Sequence, residues 1–429
     1  MGANQDAQSF YHLGENVFIE TGFEISCPPL ASIGELTYIQ KDCFFNIPNE
    51  QDAGFPRIEI RENCSIGKRC VLSAVNRIVI EDRVLIGANV HISDHDHAYQ
   101  EVGVPIMFQG ATSLNQTVTV GRGSWIANNC VIVGNVHIGR GCVVGANSVV
   151  CGDIPDYCVA VGSPAHVIKC FDVESGAWKR IGGQHELERI LQARRARPPI
   201  LSVCLIAGEN PEVFRSSMVV VCKDAGNDPM LEIVMCDSGK SPGVSGLARQ
   251  FCAAFQNVRL VDGAPSDGVD KRYLFALNQA KGEFASVVED VHCFAHNGVY
   301  HILRSLFQNR NCNVLLARPA NQMISCTHGS GWEAYRSLLH GQSTEPYRVV
   351  FRTEAVKELP DPSRYIGTGW NHIYLQHACL CAGERYGVAD GIVFMGDHVV
   401  CDTLDEDVRC GEFIEKLSSA GLPDSQCRP

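Results

Sequence analysis

Aliphatic residues recur at every sixth position over much of the first 170 residues. The repeat is longest from Val120 to Pro155, where consecutive six-residue units each begin with Val or Ile. It is also present from Ile60 to Arg77 and, after a two-residue slip, from Ile80 to His91. One such unit is too short to bury its aliphatic side chain, whereas three short strands per triangular coil stack these side chains into a continuous interior. The period therefore predicts a solenoid of short parallel strands.

The second and fifth positions of the units are also patterned. A Gly or Ala often follows the aliphatic residue, which suits a sharp corner that needs positive φ or a close backbone approach. The fifth position is small or medium-sized and is often Cys. We interpret these cysteines as small buried apolar residues without a chemical role. An ordinary β-sandwich would instead show a period of two without the glycine spacing.

Residues 93–119 interrupt the repeat and contain the sequence DHDH. A long loop ejected from a rigid scaffold is more often functional than not. His95 and His97 are candidate general bases, because imidazole has an unperturbed pKa of ~6.5, which suits proton transfer near neutral pH. Either Asp94 or Asp96 could orient an imidazole, and so could a backbone carbonyl. The alternatives are a His-x-His metal site or solvated loop residues.

Together these motifs resemble the left-handed β-helix acyltransferases of the maltose, galactoside and serine acetyltransferase superfamily, and most closely its polysaccharide O-acetyltransferase branch. The resemblance covers residues 58–169 and rests on IGANVHISDHDHAY, GRGSWIANNCVIVGNVHIG, VGANSVV and DIPDYCVAVGSPAHVIK. It implies a left-handed parallel β-helix, a homotrimer and acetyl-CoA as the acyl donor. In that family the base lies on the extruded loop, shortly before a Pro-aliphatic pair. Pro105-Ile106 is that pair here, which favours His97 over His95 as the catalytic base.

The resemblance also implies binding roles for other residues. Asn76 corresponds to an asparagine that lines the acceptor pocket, although an Asn there also suits a turn cap or an internal asparagine ladder. Asp94 and Asp96 are the other candidate substrate contacts. Acetyl-CoA is expected to bind in a groove between neighbouring solenoids. Its pantetheine arm and its phosphates are expected to contact Trp125, Asn128, Gly145, Ala146, Ser148, His166 and Lys169.

Composition narrows the class of protein. The chain has 36 Lys and Arg against 48 Asp and Glu, and its net charge of −12 argues against a general nucleic-acid binder. The 21 cysteines include no Cys-x-x-Cys pair and are scattered, so they predict neither a disulfide framework nor a structural zinc site. No leader and no apolar run of about 18 residues is visible, which predicts a cytoplasmic protein without a transmembrane segment.

The repeat ends near residue 169, and a helix and linker are predicted over 170–199. The helix corresponds to QHELERILQARRAR and stops at Pro198-Pro199. Its arginines suit either a solvated helix face or a surface for anionic lipid. From residue 200 apolar strands alternate with helices, which predicts an α/β domain over 200–429.

The order of these elements resembles the nucleotide-sugar-binding half of family 2 glycosyltransferases, which have the GT-A fold. EIVMCDSG and ALNQAKGEF match two elements of that family. The resemblance implies that Asp237, Glu289 and Asp290 contact a nucleotide sugar. It also implies that Glu289, Asp290 and His292 hold Mn²⁺ or Mg²⁺. However, Val291 replaces the second carboxylate of the metal motif, and no acidic base precedes IYLQHACLCAG. This half is therefore an active glycosyltransferase, a silent glycan-binding module or an unrelated α/β domain.

The sequence thus predicts an N-terminal left-handed parallel β-helix, an all-β solenoid, joined to a C-terminal α/β GT-A-like domain. Residues 1–57 are expected to form a cap or the first coils. The expected function is acetyl-CoA-dependent O-acetyl transfer to a sugar of a surface polysaccharide or its precursor. The alternatives are an N-acetyltransferase of nucleotide sugars and a trimeric scaffold that presents a glycan-binding module.

Overall fold

The computed structural model describes residues 10–48, 51, 54–111, 115–289, 294–295, 297–317, 328–339, 346–381, 384–389 and 393. The chain divides into two compact units, Met1–Arg194 and Arg195–Pro429. The first unit is a parallel β-helix, and the second is an α/β unit built on a mixed sheet.

Short parallel strands of the first unit stack into three sheets. Sheet A contains β1 (His12–Leu13), β4 (Ala31–Ile33), β7 (Ile58–Ile60), β10 (Arg77–Ile80), β13 (Thr117–Val120) and β16 (Val136–Ile138). Sheet B contains β2 (Phe18–Ile19), β5 (Tyr38–Ile39), β8 (Ser65–Ile66), β11 (Leu85–Ile86), β14 (Trp125–Ile126), β17 (Val143–Val144) and β19 (Cys158–Gly162). Sheet C contains β3 (Glu24–Ile25), β6 (Phe44–Asn46), β9 (Val71–Ser73), β12 (His91–Ser93), β15 (Val131–Val133) and β18 (Val149–Val150).

Consecutive strands visit sheets A, B and C in turn, so each set of three strands is one coil. Two of the coils in the described part of the chain lie before residue 58, with a 3-10 turn at Pro28–Leu30. The first described strand of the β-helix begins at His12, so the β-helix is longer than the most regular part of the repeat.

The aliphatic first positions form the interior of the β-helix, as the six-residue period predicts. In sheet A, one column of paired residues runs through Ile33, Ile60, Ile80, Val120 and Ile138. Each of these side chains is at most 1% exposed. Burial of one such side chain contributes roughly 1.5–3 kcal/mol, and because the column is continuous, each coil is stabilised by its neighbours.

The second-position glycines are required by close contact between coils. A Cβ atom on Gly121 would lie 2.5 Å from the carbonyl carbon of Gly139 in the next coil. Positive φ falls instead at the fourth position, for example at 57° for Asn89 and 60° for Asn129 and Asn147. Close approach between coils, rather than positive φ, therefore explains the second-position glycines.

The fifth-position cysteines and serines hydrogen-bond to the coil that follows. The acceptor is the carbonyl oxygen of the second-position residue in the next coil or, for Cys142, that of Pro155 at the end of the last unit. The donor-acceptor pairs are Cys43 with Gly67 (3.2 Å), Cys64 with Glu81 (3.0 Å), Cys70 with Gly87 (3.1 Å), Ser124 with Gly139 (2.8 Å), Cys130 with Gly145 (3.2 Å) and Cys142 with Pro155 (3.1 Å). These cysteines are buried, as predicted, and they also donate to carbonyl oxygens at the corners of the coils.

A hairpin and a helix follow the last coil. Strands β20 (Ala165–Asp172) and β21 (Ala177–Arg180) continue sheet B in antiparallel pairing. Helix α1 (Gln184–Ala196) buries Leu187 and Ile190 in the core of the solenoid. Near its end, Arg194 donates to the carbonyl oxygens of Asp156 (2.7 Å) and Phe171 (2.6 Å). These elements cap the aliphatic column, which a solenoid end requires.

The second unit is built on a sheet with the strand order β24-β23-β22-β25-β28-β26-β29-β27. The strands are β22 (Leu201–Ile206), β23 (Leu231–Asp237), β24 (Val258–Asp262), β25 (Phe284–Glu289), β26 (Val314–Leu316), β27 (His328–Ser330), β28 (Val349–Arg352) and β29 (Arg385–Val388). The helices are α2 (Pro211–Ala225), α3 (Pro242–Ala254), α4 (Val269–Gln279), α5 (Gly298–Gln308), α6 (Trp332–Leu339), α7 (Thr353–Lys357) and α8 (Asn371–Leu380).

The first four strands of this sheet order, β24 to β25, are parallel to one another, and helices alternate with them along the chain. Strands β22 and β23 are buried along their whole length, which explains why they read as unbroken apolar runs. The prediction of an α/β domain in this half is confirmed. Among the described residues, no helix is long and apolar enough to cross a bilayer.

Candidate active site

The segment that interrupts the repeat leaves the solenoid between β12 and β13. His97 forms an isolated antiparallel bridge with Ala111, and the amide of Ala98 donates to the carbonyl oxygen of Gly110 at 2.8 Å. These contacts close a narrow neck at the base of the loop. A short 3-10 turn at Ile106–Phe108 lies within it.

Asp94 is fully buried at the base of this neck. Its Oδ1 accepts a hydrogen bond from the amide of Val75 at 2.8 Å. Its Oδ2 accepts from the amides of Asn76 at 2.7 Å and Arg77 at 2.5 Å. The three donors lie one coil earlier, near the place where the repeat slips by two residues. The slip therefore presents three amides that hold one carboxylate.

His95 lies against the same carboxylate. Its Nδ1 is 2.9 Å from Asp94 Oδ1 and 3.3 Å from the hydroxyl of Ser93. The side chain is 15% exposed, and no hydrogen bond to Nε2 occurs within the described ranges. One ring nitrogen is thus held by a buried carboxylate, which is the arrangement that fixes the orientation of a catalytic imidazole.

His97 has a different environment. It is exposed, and its side chain has no hydrogen bond or ion pair to any residue that the structure describes. Asp96 is exposed as well. The structure therefore brings Asp94 and His95 together and leaves His97 on the neck of the loop without a carboxylate partner.

A third imidazole lies near His95 and was not singled out from the sequence. His91 is half-buried at the start of β12, and its neighbours in the adjoining coils are Val71 and Val131. Burial, and then repulsion by the charged form of His95, lower the pKa of His91. The sequence could have indicated His91, because it occupies the sixth position of its unit, where the adjoining coils have Val71 and Val131.

Asn76 ties down the returning end of the loop. Its Nδ2 donates to the carbonyl oxygen of Gln116 at 2.9 Å and lies 3.3 Å from the hydroxyl of Thr117. The Nδ2 of Asn76 therefore binds the end of the loop, close to Asp94 at the start of the loop.

Two of the residues predicted to contact acetyl-CoA, Trp125 and Lys169, lie in one outward row of sheet B. Trp125, 47% exposed, lies between Leu85 and Val143 in adjacent coils. Further along the row, Val159 pairs with Lys169, which in turn pairs with Arg180. The row is thus apolar in the middle and basic at its end.

A β-bulge in the terminal hairpin aligns two of the basic residues. The register of β19 and β20 shifts between Val159 and Ala160, so that Val159 faces Lys169 and Val161 faces His166. Because alternate residues of β19 share a face, His166 and Lys169 both lie on the outward side of sheet B.

The other residues that were predicted to contact acetyl-CoA lie at the corner between sheets B and C. Asn128 is exposed, and its Oδ1 accepts from the amide of Ala88 at 2.8 Å. Gly145 and Ala146 form the same corner one coil later, and Ala146 is exposed. Ser148 is buried instead: its hydroxyl donates to the carbonyl oxygen of Gly145 at 2.6 Å and accepts from the amide of Gly162 at 3.1 Å. It belongs to the interior of the coil.

The ejected loop carries an exposed apolar surface. The most exposed of its large apolar side chains are Tyr99 (67%), Val102 (101%), Met107 (77%) and Phe108 (72%). A cluster of this kind on a surface loop is typical of a contact with another molecule.

In the second unit, the two described residues that were predicted to bind a nucleotide sugar, Asp237 and Glu289, have partners within the protein. Asp237 is buried, with Oδ1 accepting from the amide of Gly239 at 2.8 Å and Oδ2 bonded to the hydroxyl of Ser245. Glu289 forms an ion pair of 2.9 Å with Arg272. Asp290 and His292 lie outside the described residues. Within the described part of the chain, no group of three His, Cys, Asp or Glu side chains is arranged to hold a metal ion.

Part of the solenoid matches a known family model. Residues 117–152 match the family model "Bacterial transferase hexapeptide (six repeats)". The chain is 32% identical over 155 residues to the "Probable acetyltransferase Rv3034c" of Mycobacterium tuberculosis, covering 36% of this chain and 49% of that protein. It is 30% identical over 124 residues to the "Putative lipopolysaccharide biosynthesis O-acetyl transferase WbbJ" of Escherichia coli, covering 28% of this chain and 63% of that protein. The chain thus spans about half to just under two thirds of these curated relatives.

Two solved structures are also similar in part. AntD, an N-acyltransferase from Bacillus cereus in complex with dTDP and 3-hydroxybutyryl-CoA, matches with 22% identity and a TM-score of 0.33, covering 43% of this chain and 92% of AntD. Staphylococcus aureus TarS (1–349) matches with 16% identity and a TM-score of 0.40, covering 52% of this chain and 67% of TarS. The first unit is thus a parallel β-helix, part of which matches the hexapeptide transferase model, and the chain is similar to curated acetyltransferases over part of its length.

Proposed function

We propose that the first unit is an acetyl-CoA-dependent O-acetyltransferase that acts on a sugar of a surface polysaccharide or its precursor. The observation that carries this proposal is the pairing of His95 with the buried carboxylate of Asp94 at the neck of a loop ejected from a hexapeptide β-helix. The names of the curated relatives, one of them a lipopolysaccharide O-acetyl transferase, support acyl transfer and a polysaccharide acceptor.

In this proposal His95, rather than His97, is the general base. A hydrogen bond from Nδ1 to Asp94 directs the lone pair of Nε2 outward, where it accepts the proton of the acceptor hydroxyl. The freed oxygen forms a bond to the thioester carbonyl carbon, and the carbon–sulfur bond breaks. The imidazolium, stabilised by Asp94, then returns the proton to the departing sulfur. His97, exposed on the same neck, is assigned to contact with the acceptor.

We assign the donor to the outward row of sheet B, where acetyl-CoA supplies the acetyl thioester. The apolar stretch around Trp125 suits the pantetheine arm. His166 and Lys169, aligned at the end of the row, suit the phosphates. Asn128, Gly145 and Ala146 at the adjoining corner complete this set, whereas the buried Ser148 is left out of it.

The placement of these groups supports a homotrimer. His95 follows β12 in sheet C, whereas Trp125 lies in sheet B, so base and donor row occupy different faces of one solenoid. A neighbouring copy would bring its own sheet B to the base. The exposed apolar residues of the ejected loop, including Met107 and Phe108, would be covered by such a contact.

The test is an acetyl-transfer assay with a panel of sugars and amino sugars as acceptors. Release of the CoA thiol measures the rate of transfer. His95→Ala is expected to lower kcat by about 10²- to 10⁴-fold, the usual effect of removing a general base, and His97→Ala by less than about tenfold. The reverse pattern would overturn the assignment of the base. Transfer only to amino sugars would replace O-acetyl by N-acetyl transfer, and absence of acetyl-CoA binding in calorimetry would refute the function.

A further inference from the structure

Two cysteines lie directly opposite each other in the hairpin that follows the last coil. Cys158 in β19 pairs with Cys170 in β20 in antiparallel register, and both are free thiols buried in the core of the first unit. Directly opposite residues of an antiparallel pair point to the same face of the sheet. The two sulfurs share that face, and the thiol of Cys158 hydrogen-bonds to the sulfur of Cys170.

The backbone gives this pair the spacing that a disulfide needs. The amide of Phe171 donates to the carbonyl oxygen of Tyr157 at 2.9 Å, so the neighbouring pair, Cys158 with Cys170, is a non-hydrogen-bonded one. Opposite Cα atoms at such positions are about 4.5 Å apart, and disulfides join Cα atoms that are about 4.4–6.8 Å apart. Because the spacing lies at the short end of that range, a disulfide here is expected to be strained and easily reduced.

Cysteines in neighbouring coils are arranged differently. Cys43 and Cys70 also lie within hydrogen-bonding reach of each other, but their thiols donate to backbone carbonyl oxygens at 3.2 and 3.1 Å. Within the described part of the chain, no Lys or Arg side chain hydrogen-bonds to either of these thiols. The carbonyl oxygens that the thiols of Cys158 and Cys170 contact lie farther away, at 3.6 and 3.8 Å. The backbone therefore holds the hairpin pair less firmly than the pair in the coils.

A cation from the capping helix contacts the hairpin pair. Nη2 of Arg194, near the end of α1, lies 3.2 Å from Sγ of Cys170 and donates to the carbonyl oxygen of Phe171 at 2.6 Å. The hydrogen bond from Cys158, and then the charge of Arg194, outweigh burial and lower the pKa of Cys170 below its usual range. The thiolate is the form of cysteine that attacks a disulfide. Cys170 is therefore the nucleophile of the pair, and Cys158 is the cysteine that resolves the mixed disulfide.

We propose that Cys158 and Cys170 form a reversible disulfide by exchange with a low-molecular-weight disulfide. The sulfur of Cys170 attacks one sulfur of this oxidant, whose S–S bond breaks and releases one thiol. Cys158 then gives up its proton and attacks the sulfur of Cys170 in the mixed disulfide, which releases the second thiol. Two protein thiols are thus oxidised to one disulfide, and the oxidant is reduced to two thiols. This chemistry is separate from the acyl transfer proposed for the first unit.

Oxidation changes what holds the end of α1. Both cysteines are fully buried, and Arg194 lies against Cys170, so the oxidant reaches the thiols when the last turn of the helix moves aside. The buried anchors of the helix, Leu187 and Ile190, lie before that turn, which lets the turn open by itself. Once the disulfide has formed, Arg194 loses an anionic acceptor and keeps only its backbone acceptors. The last turn of α1 should therefore open more often in the oxidised chain.

The experiment treats the reduced full chain with oxidised glutathione, blocks the remaining thiols by alkylation and maps disulfides by mass spectrometry. Trypsin cuts after Arg140, Lys169 and Lys179, so the expected disulfide joins peptide 141–169 to peptide 170–179. Fragmentation identifies Cys158 as the linked residue, and dithiothreitol should separate the peptides. Hydrogen exchange of the native chain should show the amides of residues 191–196 exchanging about tenfold or more faster after oxidation, because one charge-assisted hydrogen bond is lost.

Two variants locate the effect. Cys170→Ser should form no linked peptide, and the oxidant should leave its hydrogen exchange at the end of α1 unchanged. Cys43→Ser is the matched control, because it removes a buried thiol that contacts another thiol but leaves the hairpin pair intact. It should form the disulfide as the wild type does. Thermal denaturation checks the fold of each variant, and the mapping in the wild type decides the proposal if Cys170→Ser does not fold.

Three results would overturn the proposal. The first is no linked peptide from the oxidised wild-type chain. The second is a link from Cys170 to Cys142 or Cys151, which lie in the same tryptic peptide as Cys158. The third is faster exchange at the end of α1 that the oxidant also produces in Cys170→Ser. None of these measurements involves acetyl transfer, so failure here and failure of the proposed acetyltransferase are distinguishable.

Discussion

Asn76 donates its backbone amide to Oδ2 of Asp94 at a distance of 2.7 Å. The side chain of the same asparagine donates to the carbonyl oxygen of Gln116 at 2.9 Å. Asp94 stands where the ejected loop begins and Gln116 where it ends. One residue of the preceding coil therefore holds both ends of the loop and, through Asp94, fixes the position of His95.

Asn76→Ala should loosen the returning end of the loop while leaving Asp94 its backbone donors. The loss of the side-chain hydrogen bonds is expected to lower the free energy of unfolding by about 1–2 kcal/mol. Chemical denaturation measures the stability, and limited proteolysis should cut between 95 and 116 faster than in the wild type. Asn46→Ala, which removes a bond of 2.9 Å to Ser73 in the next coil but no bond to the returning end of the loop, is the control and should not change that cleavage. Equal cleavage in both variants would contradict the role of Asn76.

Asp94→Asn should impair catalysis more than binding. An amide in place of the carboxylate turns an NH₂ group toward backbone amides or toward Nδ1 of His95, which disturbs the orientation and tautomer of the ring. We expect kcat to fall by about 10²-fold or more, with a smaller change in KM for the donor. Steady-state kinetics measures both constants. Asp96→Asn, on the exposed neck, is the matched control, and a comparable loss in that variant would argue against the Asp94–His95 pair.

Gly121→Ala tests the contact between coils. The new Cβ would lie 2.5 Å from the carbonyl carbon of Gly139 and 2.7 Å from the amide nitrogen of Arg140, and neither backbone atom can move freely. The unfolding free energy of the first unit should drop by about 1–3 kcal/mol. Gly152→Ala has no atom within 4 Å of its new Cβ and should be close to neutral in the same denaturation experiment. Similar stability of the two variants would show that the coils can shift apart without cost.

Acid should weaken the terminal hairpin through Asp172. Burial would raise the pKa of this carboxyl, but hydrogen bonds from Lys179 and Ser175 outweigh it and lower the pKa to about 2. Because the unfolded value is about 3.9, the contribution of Asp172 to stability is present above that pH and is lost as the pH falls from about 4 to about 2. The difference in melting temperature between the wild type and Asp172→Asn should therefore shrink across this window. Lys179→Gln should reduce the difference as well, and a constant difference down to pH 2 would contradict this account.

Much of the first unit could be predicted from the sequence because one side chain in six must reach the interior. The period identifies Ile60, Ile80 and Val120 as core residues, and all three are buried. It does not show what the fifth position does, since a thiol hydrogen bond to Glu81 or Gly87 depends on a coil that is distant in the chain. The terminal hairpin, β20 and β21, has no six-residue period and was not predicted.

The candidate site was less accessible to sequence reasoning. His95 and His97 are both in the loop sequence, but the partner that separates them is Asp94, whose orientation is set by amides of Val75 to Arg77. In the second unit, Glu289 was predicted to bind metal because Glu289, Asp290 and His292 stand where the family that this half resembles has its metal motif. Its partner, Arg272, lies 17 residues earlier on α4 and meets it only when the helix packs against the sheet.

The corner hydrogen bonds also set an order of assembly. The thiol of Cys64 finds its acceptor on Glu81, 17 residues later in the chain, and the thiol of Cys130 finds its own on Gly145, 15 residues later. No coil can complete its hydrogen bonds before the next coil has been synthesised and laid against it. Since chains emerge from the ribosome amino end first, the solenoid is expected to fold one coil behind the point of synthesis, and its last coils wait for β20, β21 and α1.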